Sequence, residues 1–388
     1  MGAAALPDGP HPSLPPAGEG ADRGGAAQVL FLMRLDKRSQ ASPAALLLAP
    51  VGAVAFTLLV SALLVLWAGA PVGRTYAAIF EGGFGSVFAL SETLTRAVPL
   101  ILTGLAATVA FKSRLFNIGA EGQLYGGALA AVAVGGLHGG AGPFAAPWLV
   151  FPLMLAAAAL VGALLLLCPA LLKARLGVDE VVTTLLMNFI VLLGVSALLD
   201  GPMKDPGALG WPQSVGLAPG LELSRPLAGT RLHSGLFIAG GLALALWLVF
   251  KHSLLGFQIR ATGANARAAA FAGVPALRTA VWVALLSGGL AGLAGAIEVA
   301  GRTGYVTLDM SPGYGYTGIV IAMLAGLHPL GVLAASVFVA GVLVGADSMS
   351  RVVGVPTYIA DVIVATALIA VLVATLLTQY RLRWRRAA

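Results

Sequence analysis

PWLVFPLMLAAAALVGALLLLCPA, residues 147–170, runs from end to end without one charged side chain. A helix of about 20 apolar residues is long enough to cross the hydrocarbon core of a bilayer. The same reading extends along the chain. Nine further apolar stretches lie at about 44–69, 92–111, 117–137, 181–199, 235–250, 279–300, 316–327, 330–346 and 357–379. The stretch at 92–111 is weakened by Glu92 and Arg96, 117–137 opens on Asn117, Glu121 and Gln123, and 316–327 is short. The expectation is an all-α polytopic membrane protein with about ten transmembrane helices, in a range of eight to ten.

Composition agrees. Of the 388 residues, 59% are hydrophobic and 10% charged, and the mean hydropathy is +0.93. A soluble protein carries about 25% charged residues, so the length divides into spans rather than into two or three soluble domains. The net charge of +7 reads as Lys and Arg gathered in cytoplasmic loops, not as a nucleic-acid surface. Cys168 is the lone cysteine, which excludes an intrachain disulfide.

Lys and Arg near span ends set the orientation. Arg34, Lys37 and Arg38 precede the first span, which places the N-terminus inside. With ten spans, the inner loops carry Lys112, Arg114, Lys173, Arg175, Lys251, Arg260, Arg267 and Arg278, and the tail adds Arg381, Arg383, Arg385 and Arg386. Both termini come out cytoplasmic. Residues 1–33, rich in Gly, Ala and Pro, read as a disordered cytoplasmic tail, ahead of a transmembrane domain over 34–388. Within that domain, 200–234 is a proline-rich extracytoplasmic loop and 251–278 a basic cytoplasmic loop.

A symmetry at a shift of five spans is visible. Asn117-Ile-Gly-Ala-Glu-Gly-Gln-Leu-Tyr-Gly-Gly opens span three, and Ser311-Pro-Gly-Tyr-Gly-Tyr-Thr-Gly precedes span eight; both are polar and glycine-rich. An odd shift inverts topology, so the halves read as an inverted 5+5 repeat. Interrupted helices at matching places in such halves point to a transport site.

The chain has no Gly-x-x-x-x-Gly-Lys-Ser/Thr phosphate loop, no Gly-x-Ser-x-Gly elbow and no paired metal ligands. An enzyme reading therefore has no support. What stands out instead is polarity inside apolar spans, which in membranes usually faces a bundle interior or an aqueous cavity. Asn117, Glu121 and Tyr125 share one helix face, as do Thr184 and Asn188. With Gln123, Glu298, Tyr314 and Tyr316 they are candidates to line a solute pathway. Interhelical hydrogen bonding is the competing reading for Glu121, Glu298 and Asn188, and interfacial anchoring for Tyr314 and Tyr316. In the inner loop, Gly263 to Gly273 has helix-forming composition, and Phe271 is a candidate aromatic anchor for a docking partner.

The sequence resembles the permease subunits of bacterial ABC importers, in the superfamily serving branched-chain amino acids, ribose and nucleosides, and within it the simple-sugar or nucleoside branch. The resemblance runs from about Ala44 to Arg383. It is carried by Phe116-Asn-Ile-Gly-Ala-Glu-Gly-Gln123, Asp179-Glu-Val-Val-Thr-Thr-Leu-Leu-Met-Asn188, Asp200-Gly-Pro-Met-Lys-Asp-Pro206, Arg260-Ala-Thr-Gly-Ala-Asn-Ala-Arg-Ala-Ala-Ala-Phe-Ala-Gly273 and Gly313-Tyr-Gly-Tyr-Thr-Gly-Ile319.

It implies a multi-pass protein of the bacterial plasma membrane that forms half of a pore for nucleosides or a related small polar solute. The alternatives are a simple-sugar permease and an ion-coupled secondary transporter. It also implies a cytoplasmic ATPase partner that binds ATP and Mg, so that this chain carries no cofactor. The other implied partners are a second, different permease chain and an extracytoplasmic solute-binding protein or lipoprotein. Gly263, Asn265, Arg267, Ala269, Phe271 and Gly273 fall in the coupling helix on which the ATPase docks.

Overall fold

The computed structural model describes residues 31–37, 43–137 and 146–386. It divides into two units, Ala41–Thr378 and a smaller one formed by the two chain ends.

The larger unit is helical. In chain order it comprises α1 (Pro43–Trp67), α2 (Val72–Phe84), α3 (Val87–Lys112), α4 (Ala120–Gly135), α5 (Pro147–Leu176), α6 (Glu180–Asp200), α7 (Gly235–His252), α8 (Leu254–Ala264), α9 (Ala266–Phe271), α10 (Ala276–Glu298), α11 (Tyr314–Leu324), α12 (Pro329–Val353) and α13 (Thr357–Gln379). A π-turn, Val299–Thr303, prolongs α10. Each expected apolar stretch falls on a helix. Among the described residues, six helices (α3, α5, α6, α7, α10 with its π-turn, and α12) are long and apolar enough to cross a membrane, and α1 and α2 form a pair bent by 117°.

Sequence dictates the ends. Ser86 caps α3 by accepting from Ala89 N–H at 3.0 Å, so the helix begins five residues before the apolar stretch and takes Glu92 and Arg96 into its first turns. Pro329 opens α12, where its missing N–H costs nothing. Gly177 closes α5 at φ 69°, after Lys173 and Arg175 in the last turn.

The packing has the symmetry expected of the repeat. A shift of five spans exchanges α3 with α10, α4 with α11 and α5 with α12. Helix α10 packs on α4 and α5, α3 packs on α11 and α12, and α3 and α10 pack on each other. Each half thus lends one central helix to the other. Helix α10 approaches its neighbours through glycine: a Cβ at Gly292 would collide with the Ala158 carbonyl, one at Gly288 with the Gly162 carbonyl, and one at Gly295 with the Leu124 carbonyl. Small residues are what permit backbone contact between membrane helices. The apolar window of α3 is 83% buried and that of α6 17%, so α3 is an axis of the bundle and α6 offers its surface to lipid or a partner.

Different loops tie the two ends of the bundle. At one end Lys112 donates to the Leu327 carbonyl (2.9 Å) and Lys173 to the Arg114 carbonyl (2.8 Å). At the other, the 200–234 segment bridges residues 136 and 307, and Ser214 Oγ accepts from Val306 N–H at 2.8 Å. The first end is the one the cationic loops assign to the cytoplasm.

The smaller unit is an antiparallel ribbon of β1 (Phe31–Lys37) and β2 (Tyr380–Arg386), in register Arg34↔Arg383. Residues 31–33, read from composition as part of a structureless tail, belong to β1. Its pairing partner lies at the opposite end of the sequence, so neither segment reveals it alone. Residues 1–30 lie outside the described residues.

Candidate functional site: a clamped midplane and a charged outer cavity

The polar residues that open α4 form a closed hydrogen-bonded cluster. Asn117 Oδ1 accepts from Gly119 N–H (2.9 Å) and from Gln123 Nε2 (3.0 Å), while Asn117 Nδ2 donates to Gln123 Oε1 (2.9 Å) and to Ser287 Oγ (3.2 Å). The Ser287 hydroxyl in turn donates to the Ala106 carbonyl at 2.8 Å. The start of α4, the middle of α10 and the C-terminal third of α3 are therefore stapled together.

Helix α6 clamps the same segment from outside. Asn188 Oδ1 accepts from Gly122 N–H (2.8 Å), and Asn188 Nδ2 donates to the Ile118 carbonyl (2.8 Å) and the Tyr316 hydroxyl (3.1 Å). Thr184 Oγ1 accepts from Ile118 N–H at 3.2 Å. Replacing Asn188 by Ala orphans a buried donor and a buried acceptor, each costing about 1–3 kcal/mol. Thermal melting of the solubilised protein checks this, and an unchanged midpoint contradicts it.

Glu121 joins the two broken helices. Its Oε2 accepts from Gly315 N–H at 2.6 Å, and the carboxylate is 3% exposed. Gly315 abuts the Ala120–Glu121 backbone so closely that a Cβ there would clash with it. Gly313, at φ 84°, turns the chain into α11, and Thr103, midway along α3, donates to the Tyr314 carbonyl at 3.0 Å. Helix α4 thus enters from the cytoplasmic end and α11 from the outer end, and their N-termini meet at mid-depth. Both termini carry partial positive charge, and the Glu121 carboxylate lies between them. Tyr125, 1% exposed, donates to the Leu308 carbonyl at 2.5 Å and accepts from Ser311 N–H at 3.3 Å, tying α4 to the approach of α11.

Nearer the outer end, Glu298 Oε1 holds Arg302 at 2.5 Å, and Arg302 also donates to the Tyr314 hydroxyl at 3.2 Å. Arg302 faces a cavity of ≈ 680 Å³ at the outer ends of α2, α3 and α12, whose other charged walls are Arg96, Arg231, Arg351, Glu81, Glu92 and Asp347. Arg96 and Asp347 pair across it at 2.6 Å. Behind the π-turn, His233 fills the slot left by Gly235 and Gly301. Neither of its ring nitrogens has a hydrogen-bond partner. Burial, then the nearby Arg225 charge, pushes its pKa down to about 4.

The unfolded chain therefore binds that proton more tightly than the fold does, and stability is lost as pH falls from the ordinary histidine range toward 4. The melting midpoint is expected to drop between pH 7 and pH 5, and less so in His233→Asn.

Eight expected pathway residues (Asn117, Glu121, Gln123, Tyr125, Thr184, Asn188, Glu298 and Tyr314) are buried, and Tyr316 is 40% exposed. The structure brings them together, but as a bonded network and not as cavity walls. The cavity itself was missed. Glu92 and Arg96 counted only as a flaw in an apolar stretch, although their spacing of four already puts them on one helical face.

The cytoplasmic loop is two helices rather than one. Asn265, extended at φ −156°, ends α8 and caps α9 by accepting from Ala268 N–H at 3.0 Å. Gly263 falls in α8, where it touches the Lys112 carbonyl, so its smallness serves the chain's own packing. Ala269 is the buried residue of α9, Arg267 is exposed, and Phe271 is 96% exposed. Gly273, at φ 87°, turns the chain out of the loop.

A bundle of crossing helices, with two broken ones meeting at mid-depth and an aromatic presented from a cytoplasmic helix, defines a transport permease. The chain belongs to the family described as branched-chain amino acid transport system / permease component, whose model matches residues 89–372. It is 36% identical to the guanosine ABC transporter permease protein NupP of Bacillus subtilis, over 82% of this chain and 91% of that one. It is 37% identical to the glucose ABC transporter permease protein TsgB13 of Haloferax volcanii, over 79% and 82%. It is 30% identical to the nucleoside ABC transporter permease protein NupB of Lactococcus lactis, over 82% and 88%. The chain is a multi-pass, pore-forming permease subunit of an ATP-driven importer. It is not an ATPase, and it works with ATPase and binding-protein partners.

Proposed function

We propose that the solute is a neutral nucleoside. The observation that carries this is Glu121, whose carboxylate occupies the positive meeting point of α4 and α11. In transporters such paired helix N-termini receive anionic substrate groups. Here the protein's own carboxylate neutralises them, which favours a solute without charge. The guanosine and nucleoside permeases among the relatives support the choice. The glucose permease keeps a simple sugar as the second reading.

The ATPase, which holds ATP and Mg, docks on α9 through Phe271. The other half of the pore is a different permease chain, the binding protein is an extracytoplasmic lipoprotein, and the complex resides in a bacterial plasma membrane. The pathway reading of the mid-depth cluster belongs to states in which α4, α6 and α11 part.

Uptake of radiolabelled nucleosides and simple sugars, in cells with the gene deleted and then restored, tests the solute. Loss and rescue of nucleoside uptake alone is the expected result; loss of sugar uptake alone replaces the nucleoside by the sugar. Phe271→Ala is expected to lower uptake at least ten-fold with the chain still present in the membrane, because a fully exposed aromatic adds nothing to the chain's own core. Unaltered uptake removes Phe271 from the docking surface.

A further inference from the structure

The outer cavity presents one ion pair whose bonding capacity is only partly used. Arg96 on α3 and Asp347 on α12 meet at 2.6 Å, through Nη1 and Oδ2. Both residues line the cavity, and both side chains are open to it, Asp347 at 43% exposure and Arg96 at 20%. Asp347 Oδ1 makes no hydrogen bond, and the contact with Asp347 uses one of the five N–H donors of the Arg96 guanidinium. The neighbouring pair is built differently: the Glu298 side chain is 1% exposed and holds Arg302 from behind the cavity wall.

A partly exposed ion pair contributes little to holding a fold together. A guest that replaces each partner for the other therefore opens the Arg96–Asp347 contact at small cost. Such a guest offers N–H donors to the carboxylate and, beside them on the same edge, an acceptor to the guanidinium. The rest of the cavity narrows the choice. Arg96, Arg231, Arg302 and Arg351 face Glu81, Glu92 and Asp347, and Glu298 stands behind Arg302, so the walls balance in charge and suit a neutral guest. Phe88, 57% exposed, adds a flat aromatic surface to the same wall, and bases stack on such surfaces. At ≈ 680 Å³, the cavity falls within the range of about 300–1,000 Å³ typical of small-molecule sites. The lactam edge of a purine meets all three requirements. Guanine carries two N–H groups next to its O6 carbonyl, and arginine is the commonest specific partner of that carbonyl.

We propose that this cavity is an outer nucleobase subsite, in which Asp347 accepts hydrogen bonds from the N–H groups of a purine lactam edge and Arg96 donates to the adjoining carbonyl. The pair parts as the base enters and closes again behind it. The proposal rests on the reading of the solute as a neutral nucleoside and goes further, because it puts recognition of the base in this chain.

The test uses the assembled importer in proteoliposomes, with radiolabelled guanosine, 1-methylguanosine and glucose as probes. The methyl group removes the N–H beside the carbonyl and leaves the ribose intact. A bidentate contact to a base is worth about ten-fold in discrimination, so the native complex is expected to take up guanosine about ten-fold faster than 1-methylguanosine at low concentration. Asp347→Asn keeps the shape and exchanges one acceptor oxygen for a donor. It is expected to raise the guanosine KM about ten-fold and to bring the ratio of the two nucleosides close to unity. Asp347→Glu retains the carboxylate and is expected to retain the preference. The binding protein is the same throughout, so a change in the ratio belongs to the permease. A variant that merely misfolds loses both nucleosides together.

Native uptake of guanosine without preference over 1-methylguanosine, or with a preference that survives in Asp347→Asn, overturns the subsite and leaves the importer reading in place. The subsite is equally overturned if Asp347→Asn loses both compounds in proportion. Native uptake of glucose in place of guanosine overturns the nucleoside reading and the subsite with it, and uptake of neither overturns the importer reading as well.

Discussion

Gly292→Leu is expected to abolish the folded permease almost completely. Gly292 is where α10 touches α5 and α4 at once: a Cβ there collides with the Ala158 carbonyl, and a Cβ at Gly127 on α4 collides with Gly292 itself. Inserting a side chain into a filled core costs about 1–3 kcal/mol when neighbouring side chains adjust. Here the obstacles are backbone atoms of α5, at Ala158 and Gly162, and α10 is packed on α4 and α3 as well. Helix α5 must retreat. At about 1.4 kcal/mol per ten-fold change in population, a loss of at least ten-fold in folded protein follows. Gly289→Ala, three residues away, meets the Ala159 carbonyl only at 3.5 Å and is expected to behave as wild type. The check is the yield of monodisperse detergent-solubilised protein, and equal yields of Gly292→Leu and Gly289→Ala contradict it.

Glu121→Ala is expected to have the next largest effect, through stability and not through solute contact. It removes the acceptor of the Gly315 N–H at 2.6 Å and leaves two helix N-termini facing each other without the intervening negative charge. A buried hydrogen bond to a charged group is worth about 1.5–3 kcal/mol, and orphaning its partner adds to the loss. Glu121→Gln retains an acceptor oxygen of the same reach and is expected to restore most of the melting midpoint and most of the uptake. The pair of variants separates two roles for this carboxylate. A structural cap predicts that uptake follows stability through both substitutions. A solute ligand predicts a Gln variant that melts normally and transports nothing.

The architecture was legible because lipid imposes long apolar helices, and these are written plainly in segments such as 147–170 and 181–199. The halves of the repeat were legible for a related reason: glycine-rich polar openings at Asn117 and Ser311 have no place in an ordinary span. Faces were legible too, since Thr184 and Asn188 do act together on the 118–122 segment. Partners were not. Glu121 with Gly315, and Arg96 with Asp347, are joined across 194 and 251 residues, and no local pattern records such a pairing.

The break at Asn265 was hidden for another reason. Alanine-rich composition favours helix on both sides, and the competing preference of a single Asn for a cap decides the boundary. The charged cavity stayed unseen because the start of α3 is set by Ser86, a cap at some distance from the apolar run it serves.

Guanosine uptake into proteoliposomes holding this permease with its partner permease, ATPase and binding protein tests whether the chain forms the pathway of an ATP-driven importer for a neutral nucleoside. The expected result is saturable uptake that requires ATP on the ATPase side, disappears when this chain is omitted, and is indifferent to a proton or sodium gradient. Uptake by this chain alone, driven by such a gradient without ATPase or ATP, would contradict it.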